Sequence, residues 1–285
     1  MAKITVDNVS YVYSAGTPFE VKALDGVSIE IKENTLTGII GHTGSGKSTL
    51  VQMFNGLVKP SSGRILLDGE DIWAKPKEIG KVRYRVGLVM QYPEYQLFED
   101  TVWEDIAYGP KNMGLDGEEI KKRVREAADL VGLELDALAK SPFDLSGGQK
   151  RRAAIAGIMA MRPEVLVLDE PSAGLDPAGR NSIFDGIKRY AAATGAAVII
   201  VSHSMDDMAK YCEELVVLSH SRVAMTGSCR EVFSKCDELE SIGLGVPQMT
   251  RLVMLLREKG MDVPTDIYTV DEAEKVISRM LGGAL

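Results

Sequence analysis

The stretch LTGIIGHTGSGKSTLVQMFNGL, residues 36–57, decides the fold. Leu36 to Ile40 is a short apolar run entering a glycine-rich turn. Beyond the turn, Leu50, Val51, Phe54 and Leu57 recur at helical spacing, with Gly56 and Pro60 marking the end. Between strand and helix, Gly41 to Ser48 fits G-x-x-x-x-G-K-[ST] at every specified position. Gly41, Gly44 and Gly46 let successive backbone N–H groups turn inward around phosphate, and the helix N-terminus adds partial positive charge. Lys47 supplies a point charge for the β- and γ-phosphates, and the Ser48 hydroxyl is a ligand for Mg²⁺. His42, Thr43, Ser45 and Thr49 complete the expected nucleotide contacts, His42 standing at a tolerated variable position of the loop.

A second element sits downstream. Val165-Leu166-Val167-Leu168-Asp169-Glu170 ends a buried apolar strand in two acids. Burying paired carboxylates is costly, so such a strand end faces a cation or a polar cleft. Alone it reads as a solvated strand end. Beside a phosphate loop, Asp169 is expected to hold Mg²⁺ and Glu170 to polarise an attacking water.

A third element narrows the class. Leu145-Ser146-Gly147-Gly148-Gln149 opens a helical segment, Lys150 to Met161. A Ser-Gly-Gly run at a helix start offers an anion backbone N–H groups, a hydroxyl and a helix dipole. One nucleotide needs one phosphate cradle, and this chain has two. The economical reading is that Ser146, Gly147, Gly148 and Gln149 serve a nucleotide held by another subunit.

LSGGQ, after a phosphate loop and before an Asp-Glu strand, resembles the signature of ABC ATPases. The resemblance covers roughly residues 3–225 and implies further roles. Tyr13 stands where that family stacks an aromatic on adenine, with Tyr11 its nearest rival. Gln91 matches the glutamine that senses Mg²⁺ and the transmembrane partner. Asp176, in Ser172-Ala173-Gly174-Leu175-Asp176, matches a residue contacting the opposite subunit, and His203 the histidine that touches γ-phosphate. Gln91 to Phe98, together with Ser141-Pro142-Phe143 and Gly245-Val246-Pro247-Gln248, is similar to the EcfA/CbiO branch, particularly its second type. Those are ATPases of energy-coupling factor importers for vitamins and metal ions.

The resemblance implies ATP and Mg²⁺ as ligands and a head-to-tail pair with a second such ATPase, a paralogue favoured over an identical copy. It also implies a polytopic coupling protein, a substrate-binding membrane protein, and a peripheral position on the cytoplasmic face of the cell membrane. Tyr92, Tyr95, Leu97 and Phe98 offer apolar anchors for the membrane partner, though packing within the helical subdomain uses such residues equally well. A non-transport ABC ATPase of DNA repair or translation type is the alternative. The net charge of −8 is unhelpful for nucleic acid, and neither long heptad insertions nor a second cassette is present.

The remaining sequence frames these motifs. With 45% apolar residues in 285, the chain has ample material for a core. Cys212, Cys229 and Cys236 are odd in number, lack metal-ligand spacing and read as reduced thiols. MAKITVDNVS has no apolar signal core, and runs such as Ala196 to Val201 are too short to cross a bilayer. Alternation at Ile4, Val6, Val27, Ile29 and Ile31 predicts half-buried antiparallel strands within residues 3–31. The continuous runs Val165 to Leu168 and Val198 to Val201 predict parallel strands covered on both faces. Ile120, Val124, Ala127, Ala128 and Val131 predict an amphipathic helix over 116–132.

The expected architecture is α/β, a P-loop NTPase of ABC type. It combines a parallel core, an antiparallel subdomain, a helical signature subdomain over about 92–162, and a helical appendage over 228–285 following a nucleotide-binding domain over 1–227. In the appendage, Met249, Leu252, Val253, Leu255 and Leu256 predict one apolar helix face. A T-x-x-E capping box, Thr269 to Glu272, predicts another helix running to about Leu281, before Gly282 and Gly283.

Overall fold

The computed structural model describes residues 2–280 and residue 282, so the expected helix end at Leu281 and the following Gly283 lie outside the described residues. From the N-terminus, β1 (Ala2–Tyr13) and β2 (Val21–Lys32) form a hairpin. Strand β3 (Leu36–Gly41) feeds α1 (Lys47–Phe54), and β4 (Ser62–Leu67) and β5 (Glu70–Asp71) return to β1. The antiparallel sheet runs in the order β2-β1-β4-β5.

Next come α2 (Ile79–Arg85), β6 (Val86–Val89), α3 (Val102–Asn112), α4 (Gly117–Leu130) and α5 (Gly147–Ala160). Strand β7 (Val165–Asp169), α6 (Pro177–Thr194), β8 (Ala197–Val201), α7 (Met205–Tyr211), β9 (Glu214–Ser219) and β10 (Arg222–Ser228) complete a second sheet. Its order is β10-β9-β3-β8-β7-β6, parallel except at β10.

The apolar runs of β3, β7 and β8 are buried throughout because both faces of this sheet are covered. Alternate residues go to different cores. Ile40, Leu166, Leu168, Val198 and Ile200 pack with α3 to α6. Ile39, Val165, Val167, Ile199 and Val201 pack with α1 and the inner face of the antiparallel sheet, where Ile4, Val6, Val27, Ile29 and Ile31 sit. Each such side chain contributes about 1.5–3 kcal/mol by leaving water. The parallel register pairs Asp169 with Val201 and Leu168 with Ile200, so loops leaving β6, β7 and β8 emerge at one edge.

The C-terminal helices are α8 (Cys229–Phe233), α9 (Cys236–Ser241), α10 (Gln248–Glu258) and α11 (Val270–Met280). Val232, Phe233, Leu239 and Tyr268 join the main core, while Val253, Val263, Ile267 and Ala273 build a small core of their own. The capping box forms: Thr269 Oγ1 accepts from Glu272 N–H at 3.3 Å, and Glu272 Oε2 accepts from Thr269 N–H at 3.1 Å. Leu255 departs from expectation. It is exposed, because the buried face runs through Met249, Val253 and Leu256, three and four residues apart. Among the described residues no helix is long and apolar enough to cross a membrane.

Candidate active site

The loop from β3 to α1 is shaped by two close approaches. Gly46 has φ 100°, and a Cβ there would lie 2.3 Å from the Ala23 carbonyl oxygen of β2. At Gly41 a Cβ would meet the Leu218 carbonyl oxygen at 2.3 Å. The loop is thus pressed between β2 and β9. Lys47 is buried, and its ammonium donates to the carbonyls of Gly41 at 2.7 Å and His42 at 3.0 Å. Burial lowers its pKa, opposed by the nearby Glu170 and Asp169 carboxylates. Among the described residues the buried Ser45 hydroxyl has no hydrogen-bond partner, whereas Thr43, Gly44 and Ser48 are exposed.

Tyr13 and Thr49 meet although 36 residues apart: the Tyr13 hydroxyl and Thr49 Oγ1 share a hydrogen bond at 3.1 Å. Tyr11 packs edge-on against Tyr13 at 4.8 Å, and Tyr13 stays 41% exposed, so an aromatic face is available beside the loop. His42, read from sequence as freely variable, is engaged. Its Nδ1 lies 2.9 Å from the Thr43 carbonyl, its Nε2 accepts from the His220 N–H at 3.2 Å, and the two imidazoles meet edge to face at 5.2 Å. Nothing in one dimension links positions 42 and 220; the parallel pairing of β3 with β9 does.

At the edge where β7 and β8 end, Asp169 is buried, and Glu170 takes φ 53°, a left-handed conformation uncommon for this residue type. The Glu170 N–H extends the ladder to the Val201 carbonyl at 2.9 Å. Desolvation raises the pKa of both acids, and for Glu170 the Asp169 charge adds to the rise. Glu170 Oε1 is buried and has no hydrogen-bond partner among the described residues, and His203 Nε2 lies 3.6 Å from it, a separation too long for a hydrogen bond. Burial, then the Lys47 charge, lowers the His203 pKa, opposed by the Asp169 carboxylate. Lys47, Asp169, Glu170 and His203 therefore converge on one polar cleft. Two desolvated carboxylates facing one buried ammonium are an arrangement a divalent cation fits, and the Ser48 side chain lies close enough to Asp169 to lower its pKa. Gln91 is exposed on the loop after β6, two residues beyond the end of its pairing with β7.

The Ser146 to Gln149 turn, expected from sequence to be a second cradle, opens α5. Ser146 caps α5: its hydroxyl accepts from Gln149 N–H at 3.3 Å, and Gln149 Oε1 accepts from Ser146 N–H at 3.0 Å. Ser146 and Gly147 are exposed, and a Cβ added at Gly147 would point into open space. Their hydrogen bonds stay within this turn, and among the described residues none reaches Gly41 to Thr49. Asp176 caps α6 by accepting from Gly179 N–H at 2.6 Å, so one of its carboxylate oxygens is already committed. In the loop after Gln91, Tyr92 has φ 56°, Tyr95 and Phe98 are exposed, and Phe98 packs edge-on with Tyr108 at 5.0 Å. Leu97 packs against the main core. Arg151 and Tyr108 were missed by motif reading, since their positions carry no motif and only the packing of α3 and α5 brings them to this loop.

A family model described as ABC transporter matches residues 24–173. Among curated proteins, "Energy-coupling factor transporter ATP-binding protein EcfA2" of Clostridium acetobutylicum is 53% identical over 282 residues, covering 99% of each chain. Its namesake in Clostridioides difficile is 52% identical over 282 residues, covering 98% of each. Among solved structures, cbiO1 of Clostridium perfringens, part of the ABC transporter complex cbiONQ, gives a TM-score of 0.76 at 40% identity, covering 90% of this chain and 99% of that one. The ATP-binding cassette MJ0796, solved as a dimer in a post-hydrolysis state with ADP and phosphate, gives 0.72 at 29% identity, covering 80% and 99%.

Proposed function

The chain belongs to the ABC transporter family and is an ATP-hydrolysing subunit of energy-coupling factor type, and on that premise we propose how its own residues perform the reaction. The observation that carries the assignment of roles is that Lys47, Asp169, Glu170 and His203 lie within reach of one another's charge, with Lys47 and both carboxylates largely withdrawn from water. Gly41 to Thr49 cradle the phosphates with backbone N–H groups, and Lys47 neutralises the terminal ones. Tyr13, fixed by Thr49, offers its ring to adenine. Glu170 orients a water in line with the γ-phosphate and takes its proton; a raised pKa moves this carboxylate toward the range where a general base works well near neutral pH. His203 presents a ring nitrogen to the phosphoryl group being transferred. Ser48, Asp169 and Gln91 would hold Mg²⁺, whose bound charge offsets that developing on the phosphate oxygens.

Ser146 to Gln149 and Asp176 face a second ATPase subunit and complete its site. A paralogue is favoured on the likeness to EcfA2, although two copies of this chain would also make two whole sites. A vitamin or a metal ion is the cargo class. The assembly sits peripherally at the cytoplasmic face of the membrane, against a polytopic coupling protein and a substrate-binding membrane protein. The exposed rings of Tyr92, Tyr95 and Phe98 support docking of the coupling protein at this loop. Glu170→Gln tests the chemistry: ATP binding persists, phosphate release falls at least a hundredfold, and the ATP-bound dimer accumulates. Near-normal turnover would refute the role given to Glu170.

A further inference from the structure

One charged side chain outside the residues described so far joins two segments of the site. Arg180 lies on the first turn of α6, and its N–H donates to the Asp176 carbonyl at 2.9 Å. Its guanidinium reaches across to α7: Nε donates to Asp207 Oδ2 at 2.8 Å, and Nη2 donates to the same oxygen and to Ser204 Oγ. Ser204 directly follows His203 and caps α7, accepting from Asp207 N–H at 3.3 Å. The Asp207 side chain is only 8% exposed, so removing Arg180 strands a nearly buried carboxylate.

The His203 ring has little to hold it, although its backbone N–H faces the Glu170 carboxylate. Its side chain is 56% exposed, and its nearest charged neighbour is Glu170 at 3.6 Å. Its place is set by the backbone on either side. Upstream, Ser202 Oγ accepts from Ser204 N–H at 3.1 Å and lies 3.5 Å from Glu170 Oε2. Downstream, Ser204 is held by Arg180.

We propose that Arg180 is a positioning residue: it fixes the segment carrying His203 to the start of α6, so that the place of Asp176 sets the place of His203 against Glu170. A shift of Asp176, such as a subunit pressing on it would cause, reaches the histidine through one turn of helix and one guanidinium. This rests on the roles given above to Glu170 and His203.

The test is a double-mutant cycle on the full chain, purified with the subunits that accompany it. Arg180→Ala is expected to lower kcat about tenfold while leaving KM for ATP within twofold, and Arg180→Lys to recover part of the loss. In a His203→Ala background, Arg180→Ala should cost less than twofold more, because what it positions is gone. An unchanged kcat for Arg180→Ala, or losses that multiply in the double variant, would overturn the proposal. If His203→Ala alone kept full kcat, the role of His203 would fail instead, which is a separate result. Should Arg180→Ala not fold, Arg180→Gln enters the same cycle with the same expectations.

Discussion

Arg151 and Glu94 are joined by two hydrogen bonds, Nε to Oε2 at 3.0 Å and Nη2 to Oε1 at 2.9 Å, with the arginine side chain only 3% exposed. The same guanidinium donates to the Ala173 carbonyl and stands 5.9 Å from the centre of the Tyr92 ring. Helix α5, which begins at the signature glycines, is thereby tied to the loop after Gln91 and to the segment leading to Asp176. A buried charge pair is costly to halve. Arg151→Ala should reduce unfolding free energy by roughly 3–5 kcal/mol. Urea denaturation measures this, and a loss below about 1 kcal/mol would place the pair in the class of solvent-screened ion pairs.

Gly46→Ala should weaken ATP binding at least tenfold. The added methyl meets the Ala23 carbonyl at 2.3 Å in a backbone conformation with φ 100°, so the loop must shift before it can enclose phosphate. Equilibrium titration with ATP reads the change, and wild-type affinity would contradict the close approach of β2.

Tyr13→Phe and Thr49→Val each delete one half of the same hydrogen bond. A bond of this kind contributes about 1 kcal/mol, so each variant should raise the Kd for ATP about fivefold, and the pair together no more than either alone. Tyr13→Ala should cost more, because the ring itself is lost. Equal affinities for the Phe and Ala variants would show that the ring plays no part.

Glu164 supplies a pH signature away from the site. Its hydrogen bond with Arg85 is the main reason its carboxyl sits at about 2, against an ordinary 4.5, with Lys3 contributing at 2.5 Å. A carboxylate with a depressed folded-state pKa stabilises the fold above its unfolded-state pKa and ceases to do so on acidification. Glu164→Gln should therefore be less stable than the parent at pH 7, by under about 1 kcal/mol because the pair is half exposed. The gap should close as pH falls from 4.5 toward 2. Melting temperatures across that range give the comparison, and a gap independent of pH would exclude this charge as its origin.

The sheet, the phosphate loop and the Asp169-Glu170 strand end were legible because each depends on local pattern: unbroken apolar runs, glycines at fixed offsets, acids closing a strand. The amphipathic helix was legible too, and it forms as α4 with its cap at Asp116. Contacts between distant positions were not legible. His42 with His220, Tyr13 with Thr49 and Arg180 with Asp207 arise from strand order and helix packing, which periodicity does not encode. Leu255 failed for a smaller reason. Met249, Leu252, Val253, Leu255 and Leu256 cannot all share one helical stripe, and Leu255, of these five the furthest off the axis of Met249, Val253 and Leu256, turns outward.

The central sheet sends alternate side chains into two cores that belong to different layers. It therefore acts as an insulating wall. Helices α3 to α6 share no core with α1 and the antiparallel strands. Signals between a protein docked on the helical layer and a nucleotide at the phosphate loop have to go around the wall, at the edge where β6, β7 and β8 end. Gln91, Glu170 and His203 stand at that edge, so binding at one layer can be communicated to the other while both cores stay packed.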